Sequence, residues 1–330
     1  MLNKLHTTPK MKWLAVVAAL CIANLLLGKN PYVILNMCLI GIYILAVSGL
    51  DLLFGYSGQI SLGHAAFYCI GAYASAILSK NLGITPWITV FLAGLFSAAV
   101  GALIAFPASK LVGHFLSLLT ISLGMLMYNI VANLFPNLTG GFVGFGGIPT
   151  FSVFGFKFEN RQSYFFIILI FVIVFLVLKQ RIILSRTGRA LIAIRENVMA
   201  ANGMGIHVRS YKILVFAISA FFTGVAGALY AHMVGYISPD TFVHSQSVLL
   251  LTMLLFGGSG SFSGPIIGAT VITVMTEMLQ RFSQYQTLIY GVFILLVVLY
   301  MPGGLVKLGA ELSSKFTAMV RKRGAASVKS

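Results

Sequence analysis

The feature that most constrains this chain is a series of long apolar runs separated by short polar stretches. Several runs approach the roughly 20 residues that a helix needs to cross a bilayer. Only 8% of the 330 residues are charged, against about 25% in soluble domains. The runs cover residues 13–28, 32–54, 61–78, 87–106, 111–135, 163–178, 213–233, 247–256, 265–279 and 288–300. They predict an all-α, polytopic membrane protein whose residues 1–330 form a single transmembrane domain with about ten spanning helices.

Two of the predicted spans leave an alternative open. The run 13–28 follows a basic stretch and so also resembles a signal peptide, but no small-x-small cleavage site follows it, and we favour a retained span. The run 247–256 is too short to cross a bilayer by itself. Either its ends extend from about His244 to Ser259, or it is a half-helix that re-enters beside its neighbour. The region 244–283 therefore makes two full spans or a re-entrant pair.

The longest polar interval in the middle of the chain is Lys179–Lys212, which is called the island below. It holds seven basic residues and one acid, and loops rich in Lys and Arg stay on the cytoplasmic side of a membrane. We therefore expect the island to be a cytoplasmic loop between six spans (13–178) and four spans (213–302). Ten crossings put both termini, 1–12 and 303–330, in the cytoplasm, with seventeen basic residues inside and five outside.

The middle of the island has the pattern of an amphipathic helix. Apolar residues recur at spacings of three and four, which places them on one helix face. They are Leu191, Ile194, Val198 and Ala201. Gly203 and Gly205 then end the helix. A short cytoplasmic helix with an apolar stripe is typical of an element that docks a soluble partner. The alternative is a solvated connector, which we disfavour because a connector has no need of an apolar stripe.

Two stretches inside the spans resemble each other. Leu52–Ser61 reads LLFGYSGQIS and Leu254–Ser263 reads LLFGGSGSFS, with seven of ten positions identical. We call them break one and break two. In lipid, a glycine-serine break has to be buried in protein or line a water-filled cavity, since its freed backbone groups need partners. Transporters place such breaks beside the substrate path, in corresponding positions of two repeats. We favour an internal repeat over two glycine-rich turns that merely look alike.

Polar residues at and beside the two breaks are the candidates for a substrate pathway. They are Asp51, Tyr56, Ser57, Gln59, Ser61 and His64 around break one, and Gly257, Ser259 and Ser261 in break two. A lone histidine in a membrane is more often a hydrogen-bonded packing residue than a pathway group, so both interpretations of His64 stay open.

Two acids lie in apolar surroundings, where carboxylates are costly and usually functional. Asp51 is a proton or cation site, a neutral acid, or a group capped by backbone amides at the break. If it is such a cap, Asp51→Asn should keep transport within a few-fold, because asparagine is a comparable acceptor. Glu277 lies one helical turn from Arg281, and the two side chains can satisfy each other.

Several classes of protein are disfavoured by what the sequence lacks. It contains no P-loop for ATP, no nucleophile-elbow or zinc-peptidase motif and no paired cysteines with metal-ligand spacing. The chain is therefore predicted not to be an enzyme and to need no cofactor or metal. The net charge of +16 does not indicate nucleic acid, because the basic residues lie at the ends of spans and in the terminal tails.

A set of five segments carries a resemblance to a known family. The segments are Gly55–Tyr73, Leu138–Pro149, Arg186–Ile206, Ala226–Phe242 and Phe256–Ala269, followed by Tyr300–Leu305 at the end. In this order they resemble the permeases of branched-chain amino acid ABC importers, specifically the LivM type, over residues 35 to 306. The sequence departs from the family at Asp51, where a neutral polar residue is usual, and at His114-Phe115.

The resemblance implies a set of partners and a cellular location. A second, homologous permease of the LivH type would pair with this chain in the inner membrane of a bacterium. Two cytoplasmic ATPases would dock on the pair and hydrolyse ATP, and an extracytoplasmic binding protein would deliver substrate. The island helix would be the coupling helix that contacts an ATPase. Its coupling residues would be Arg189, Leu191, Ile194, Arg195, Glu196, Val198, Ala201 and Gly205.

The resemblance also implies the substrate class. It would be leucine, isoleucine and valine or a related small polar solute, crossing at the interface with the partner permease near the two breaks. Relatives that carry urea or amides keep a second substrate class open. Two alternatives come from other classes: a proton-coupled secondary transporter that uses Asp51 or Glu277, and a membrane-embedded assembly subunit.

Overall fold

The chain is described here from a computed structural model over residues 30–109, 114–153, 156–158 and 160–279, and at 285, 288–289, 291–292, 295 and 304–307. The first predicted span (13–28), the basic ends of the chain (1–12 and 308–330) and most of the tenth predicted span lie outside these residues. So does Arg281, the predicted partner of Glu277.

The described part of the chain is mostly helical. The helices are α1 (Pro31–Asp51), α2 (His64–Asn81), α3 (Pro86–Ala108), α4 (His114–Asn129), α5 (Pro136–Thr139), α6 (Arg161–Leu184), α7 (Arg186–Glu196), α8 (Val198–Gly203), α9 (Val208–Val234), α10 (His244–Gly257) and α11 (Gly264–Met278). Two of them continue as π-helix: α1 through Leu52–Tyr56 and α4 through Ile130–Leu134.

Among the residues that the structure describes, five helices are long and apolar enough to cross a membrane: α1 and α4 with their π-helical continuations, α3, α6 and α9. They fall on five of the predicted runs. The sixth predicted run ends at 178, whereas α6 continues to Leu184. The count of ten crossings remains a prediction.

The described chain is mostly helical, as predicted, with short strands in the glycine-rich stretch between α4 and α6. Four strands of two residues form there and just after α9: β1 (Phe145–Gly146), β2 (Ser152–Val153), β3 (Phe156–Lys157) and β4 (Tyr236–Ile237). β1 pairs with β4 and β2 with β3, both antiparallel. Short pairings of this kind give the backbone of a loop hydrogen-bond partners that it cannot find within itself.

Helix α9 occupies the centre of the bundle and packs against α1, α2 and α3. The contact with α2 is a close backbone approach, because a Cβ on Gly71 would lie 2.0 Å from the carbonyl oxygen of Gly224. Glycine at such positions lets membrane helices approach closely. Aromatic rings fill wider gaps, as where Phe175 of α6 meets Phe222 of α9 edge to face at 4.7 Å between centroids.

Two helices begin deep inside the bundle rather than at its ends. Helix α2 starts at His64, opposite Ser219 near the middle of α9. The start of α10 is adjacent, because the hydroxyl of Ser247 accepts a 2.8 Å hydrogen bond from the backbone N–H of Ala65. Helix α10 begins at His244, but its 14 residues span only about 21 Å, short of the roughly 30 Å of a bilayer core.

Candidate functional site

Break one leads the chain from the end of α1 back into the interior. After the π-helical turn at Leu52–Tyr56 the backbone runs without regular structure to His64. Amide groups just after break one find partners on other elements: Leu62 donates to Thr120 Oγ1 at 3.0 Å, and Ala65 donates to Ser247. Irregular backbone at membrane depth is tolerated only under this condition.

Break two is closed by its own side chains. Helix α10 ends at Gly257, and the Ser261 hydroxyl donates to the carbonyl of Gly258 at 2.7 Å and accepts from the N–H of Gly264 at 3.0 Å. The corresponding glycines of the two breaks both have positive φ, 72° at Gly58 and 71° at Gly260. The internal repeat remains a prediction.

The two breaks meet in space at Asp51. One carboxylate oxygen, Oδ2, lies 2.7 Å from Nζ of Lys179, and the other, Oδ1, accepts the N–H of Gly260 at 2.7 Å. Gly55 is wedged between them: a Cβ there would lie 2.1 Å from Oδ1 of Asp51 and 2.4 Å from the nitrogen of Gly260. Asp51 therefore joins α1, α6 and break two.

The position of Lys179 corrects the predicted start of the island. The residue is not in a cytoplasmic loop but inside α6, and its side chain is fully buried. A buried charge needs a partner that neutralises it. Lys179 can lie within α6 because the carboxylate of Asp51 is that partner. The pairing also shows which groups contact the carboxylate of Asp51. They are the ammonium group of Lys179 and the backbone N–H of Gly260 in break two.

Arg195 of α7 connects the island to both breaks. Its guanidinium donates to the carbonyl oxygen of Gly55. Its side chain also passes beside Gly58 and Gly260, where an added Cβ would lie 3.3 Å from Cγ and 3.0 Å from Nη1 of Arg195. The end of α7 is therefore in direct contact with the region where the breaks meet.

The single helix predicted over the island is two helices. Helix α7 ends at Glu196, and α8 starts at Val198 after an extended residue, Asn197. The Asn197 side chain caps α8 by accepting from the N–H of Ala200 at 3.0 Å. Asparagine is among the preferred N-cap residues, and this cap interrupts an apolar periodicity that by itself indicated one continuous helix.

The apolar stripe of the island faces its own bundle, which corrects its predicted use as a docking face. Leu191, Ile194 and Ala201 are buried, with exposed fractions of 0%, 1% and 3%. An amphipathic helix covers the nearest apolar surface, and here that surface belongs to the same chain. The most exposed apolar residues of the island are Met199 at 86% and Met204 at 85%.

The remaining predicted coupling residues lie on the surface of the segment. Val198 is 45% exposed, although it was expected to share the stripe. Arg189, Arg195, Glu196 and Gly205 are also exposed.

Most of the predicted pathway residues near break one are buried and hydrogen-bonded. Ser57 donates to the carbonyl of Leu53 at 2.6 Å, and the Gln59 amide donates to Ser57 Oγ at 3.0 Å. Tyr56 is buried beside them. In break two, Gly257 is buried, whereas Ser259 and Ser261 are partly exposed.

His64 bridges two hydroxyl groups at the start of α2. Its Nδ1 lies 3.0 Å from Oγ of Ser61 and its Nε2 lies 2.8 Å from Oγ of Ser219. The ring is buried, and both nitrogens have partners. This arrangement matches the packing interpretation of a membrane histidine and holds α2 to α9.

Sequence analysis missed a set of polar groups on α4 and at the start of α10. Asn129 is exposed on α4, and the hydroxyl of Tyr128 donates to Asp240 at 3.1 Å. His244, the first residue of α10, is exposed nearby. The signal available in the sequence was an asparagine inside an apolar run. Within the described residues, no cluster of His, Cys, Asp and Glu could hold a metal ion.

Comparison with known proteins gives a consistent result. A family described as branched-chain amino acid transport system / permease component matches residues 33–301. The permease LivM of Escherichia coli (strain K12) is 32% identical over 287 residues, covering 80% of this chain and 67% of LivM. LivM of Salmonella typhimurium is 33% identical over the same shares. LivH of Escherichia coli is 26% identical over 285 residues, covering 80% of this chain and 90% of LivH. No solved structure matches the chain.

Proposed function

Because this chain belongs to the family of branched-chain amino acid transport system permease components, we propose that it moves leucine, isoleucine and valine across a bacterial inner membrane as the permease subunit of an ATP-driven importer. The relatives LivM and LivH are both named as high-affinity permeases for these substrates. A related small polar solute such as urea or an amide is the second candidate substrate.

The similarity to LivM and LivH also indicates the partner subunits of this chain. Over 80% of its length the chain is 32% identical to LivM and 26% identical to LivH, so a homologous second permease of the LivH type is the expected membrane partner. With no P-loop in the sequence, ATP hydrolysis falls to two cytoplasmic ATPase subunits. An extracytoplasmic binding protein would deliver the substrate.

The single observation that carries the mechanism is the contact of Arg195 with Gly55. We propose that the ATPases bind α7 and α8 through the exposed surface around Met199 and Met204. Movement of α7 then reaches Gly55 and Gly260 through the Arg195 side chain. Because the two breaks touch at Asp51, they shift together, and the path beside them opens to one face of the membrane or to the other.

The proposed orientation has about ten crossings and both termini in the cytoplasm. It is supported by the excess of basic residues on the side of the island. A membrane-impermeant thiol reagent added outside should label a cysteine introduced at Asn137 or at Lys157. It should not label one introduced at Asn202 of α8. External labelling at Asn202 would overturn this orientation.

Uptake of labelled leucine by cells or vesicles that contain the complete transport system tests the function. Uptake should depend on internal ATP and persist when the proton gradient is collapsed. Urea and acetamide serve as competitors for the second candidate class. Transport by the purified chain alone, driven by a pH step, would instead identify a secondary transporter.

A further inference from the structure

A cavity of about 230 Å³ lies between α4 and the start of α10. Its lining residues are Gly124, Met125, Tyr128, Asn129, Val243 and His244. The wall therefore combines an amide, a phenol and an imidazole with two apolar side chains. Gly124 leaves part of the space open, since a Cβ added there would meet no atom within 4 Å.

The cavity lies at the depth of the apolar layer. Tyr128 is in the interior of the span Phe115–Leu134, about 9 Å along the helix from its end. His244 begins the half-helix α10, whose Ser247 contacts Ala65 at the inner start of α2. Both sides of the cavity are thus formed by groups inside the layer.

Two polar side chains on this wall, Asn129 and His244, are exposed on the surface of the chain. Polar and ionisable groups are expensive against lipid and face a water-filled path or a polar contact instead. An exposed amide and an exposed imidazole on the wall of one cavity at this depth therefore indicate water on this face of the bundle.

The charges around the cavity complement a zwitterion. Asp240 lies next to it, held by the 3.1 Å hydrogen bond from Tyr128, and is placed to attract an ammonium group. The imidazole of His244 offers a hydrogen-bond donor for a carboxylate. The Asn129 amide nitrogen donates one N–H to the carbonyl of Met125 at 2.9 Å and has a second N–H to offer. Met125 and Val243 provide an apolar wall for an aliphatic side chain. An aliphatic amino acid presents this combination of groups in a small volume.

We propose that this cavity is a substrate-contact site of the transport path and that it takes a small zwitterionic amino acid with an aliphatic side chain. The inference rests on the proposed function and adds to it, because it moves substrate contact from the breaks to α4 and the start of α10. Tyr128, Asn129 and His244 are its contacting groups.

Substrate protection of an introduced cysteine tests the site. Asn129→Cys is made in a chain whose three native cysteines are replaced, and the complete transporter is treated in membranes with a small water-soluble methanethiosulfonate. The cysteine should react, and leucine at ten times its apparent dissociation constant should slow the reaction about tenfold by occupancy. A cysteine at Leu103, which is 73% exposed on α3, is the control and should stay unreactive.

Filling the cavity gives a second measurement. Gly124→Leu meets no atom at its Cβ, so the chain should still fold and assemble, while leucine uptake falls at least tenfold, equivalent to about 1.4 kcal/mol. Gly291→Leu, at another glycine with open space around it, is the matched control and should keep uptake near that of the parent protein.

Several outcomes would overturn the site. An unreactive Asn129→Cys would mean that lipid or the second permease covers this face. A reactive cysteine that leucine does not protect would mean that water, but not substrate, occupies the cavity. Full uptake by Gly124→Leu would contradict the site as well. These outcomes can be distinguished from failure of the proposed function. If the proposed function is wrong, the parent protein itself will take up no leucine.

Discussion

Asp51 and Lys179 form an ion pair, 2.7 Å between Oδ2 and Nζ, in which both side chains are fully buried. The pair ties the end of α1 to the interior of α6 across 128 positions of sequence. Two charges removed from water are tolerated when they compensate each other and the remaining lone pairs are bonded. Here the N–H of Gly260 supplies the further bond to Asp51.

Removing one member of this pair should destabilise the chain strongly. Asp51→Asn leaves the ammonium of Lys179 buried without a counter-charge, and breaking a buried pair in this way costs about 3–5 kcal/mol. This revises the expectation of a mild effect from a simple cap. The thermal unfolding midpoint in detergent and the amount of protein in the membrane should both drop.

The double variant Asp51→Asn with Lys179→Met separates charge from shape. It removes both charges and should recover most of the lost stability, giving a coupling in the double-mutant cycle well above 0.5 kcal/mol. An Asp51→Asn protein that unfolds at the temperature of the parent would show that the ion pair contributes little.

Gly55 should not tolerate even a methyl group. In Gly55→Ala the new Cβ would lie 2.1 Å from Asp51 and 2.4 Å from the backbone of Gly260, and such overpacking costs about 1–3 kcal/mol or more. Gly203→Ala is the control, because its Cβ would meet nothing within 4 Å. Circular dichroism melts should show a lower midpoint for the first variant only, and equal midpoints would contradict the close contact of the two breaks.

The sequence was sufficient for the features that depend on local composition. Apolar runs predicted the five long helices, because membrane spans are set by length and hydropathy. The glycine and serine residues of the sequence identified both breaks, because the interruption of a helix also depends on local composition. The sequence offered no way to find the partner of Asp51, because nothing local distinguishes Lys179 from the basic residues of the island.

The island shows a second limit. Periodicity placed Leu191, Ile194 and Ala201 on one apolar face but wrongly added the exposed Val198. It could not tell whether that face covers a partner or the same chain, because both surfaces are apolar. Burial of Leu191 and Ile194 in the bundle resolves this. Asn197 was a third case, because an asparagine inside a periodic stretch gives no local sign that it caps a new helix.

The two kinds of apolar residue in the island should respond differently to a charge. Ile194→Asp puts an unpaired carboxylate into the bundle, so the chain itself should be destabilised and poorly inserted. Met199→Asp, at a side chain that is 86% exposed, should leave folding unchanged but weaken ATPase association. Membrane levels and co-purification of the ATPases distinguish them, and co-purification unaffected by Met199→Asp would remove Met199 from the docking surface.

Arg195 should be required for coupling rather than for folding or assembly. It is exposed on α7, but its guanidinium donates to Gly55 at the junction of the breaks. Arg195→Ala removes this connection and should lower leucine uptake at least tenfold, about 1.4 kcal/mol in barrier terms. The ATPases should still co-purify, because the docking surface around Met199 and Met204 is intact. ATP hydrolysis should continue without matching transport.

Two variants decide whether the connection depends on the shape of the guanidinium. Arg195→Lys keeps the charge but lacks the planar fork of donors, so uptake should recover only in part. Arg189→Ala removes a nearby exposed arginine whose guanidinium donates to Leu184 of the same region rather than to a break, and uptake should stay near the parent level. If Arg195→Ala transports normally, movement of α7 reaches the breaks by another route, and the mechanism proposed from this contact is wrong.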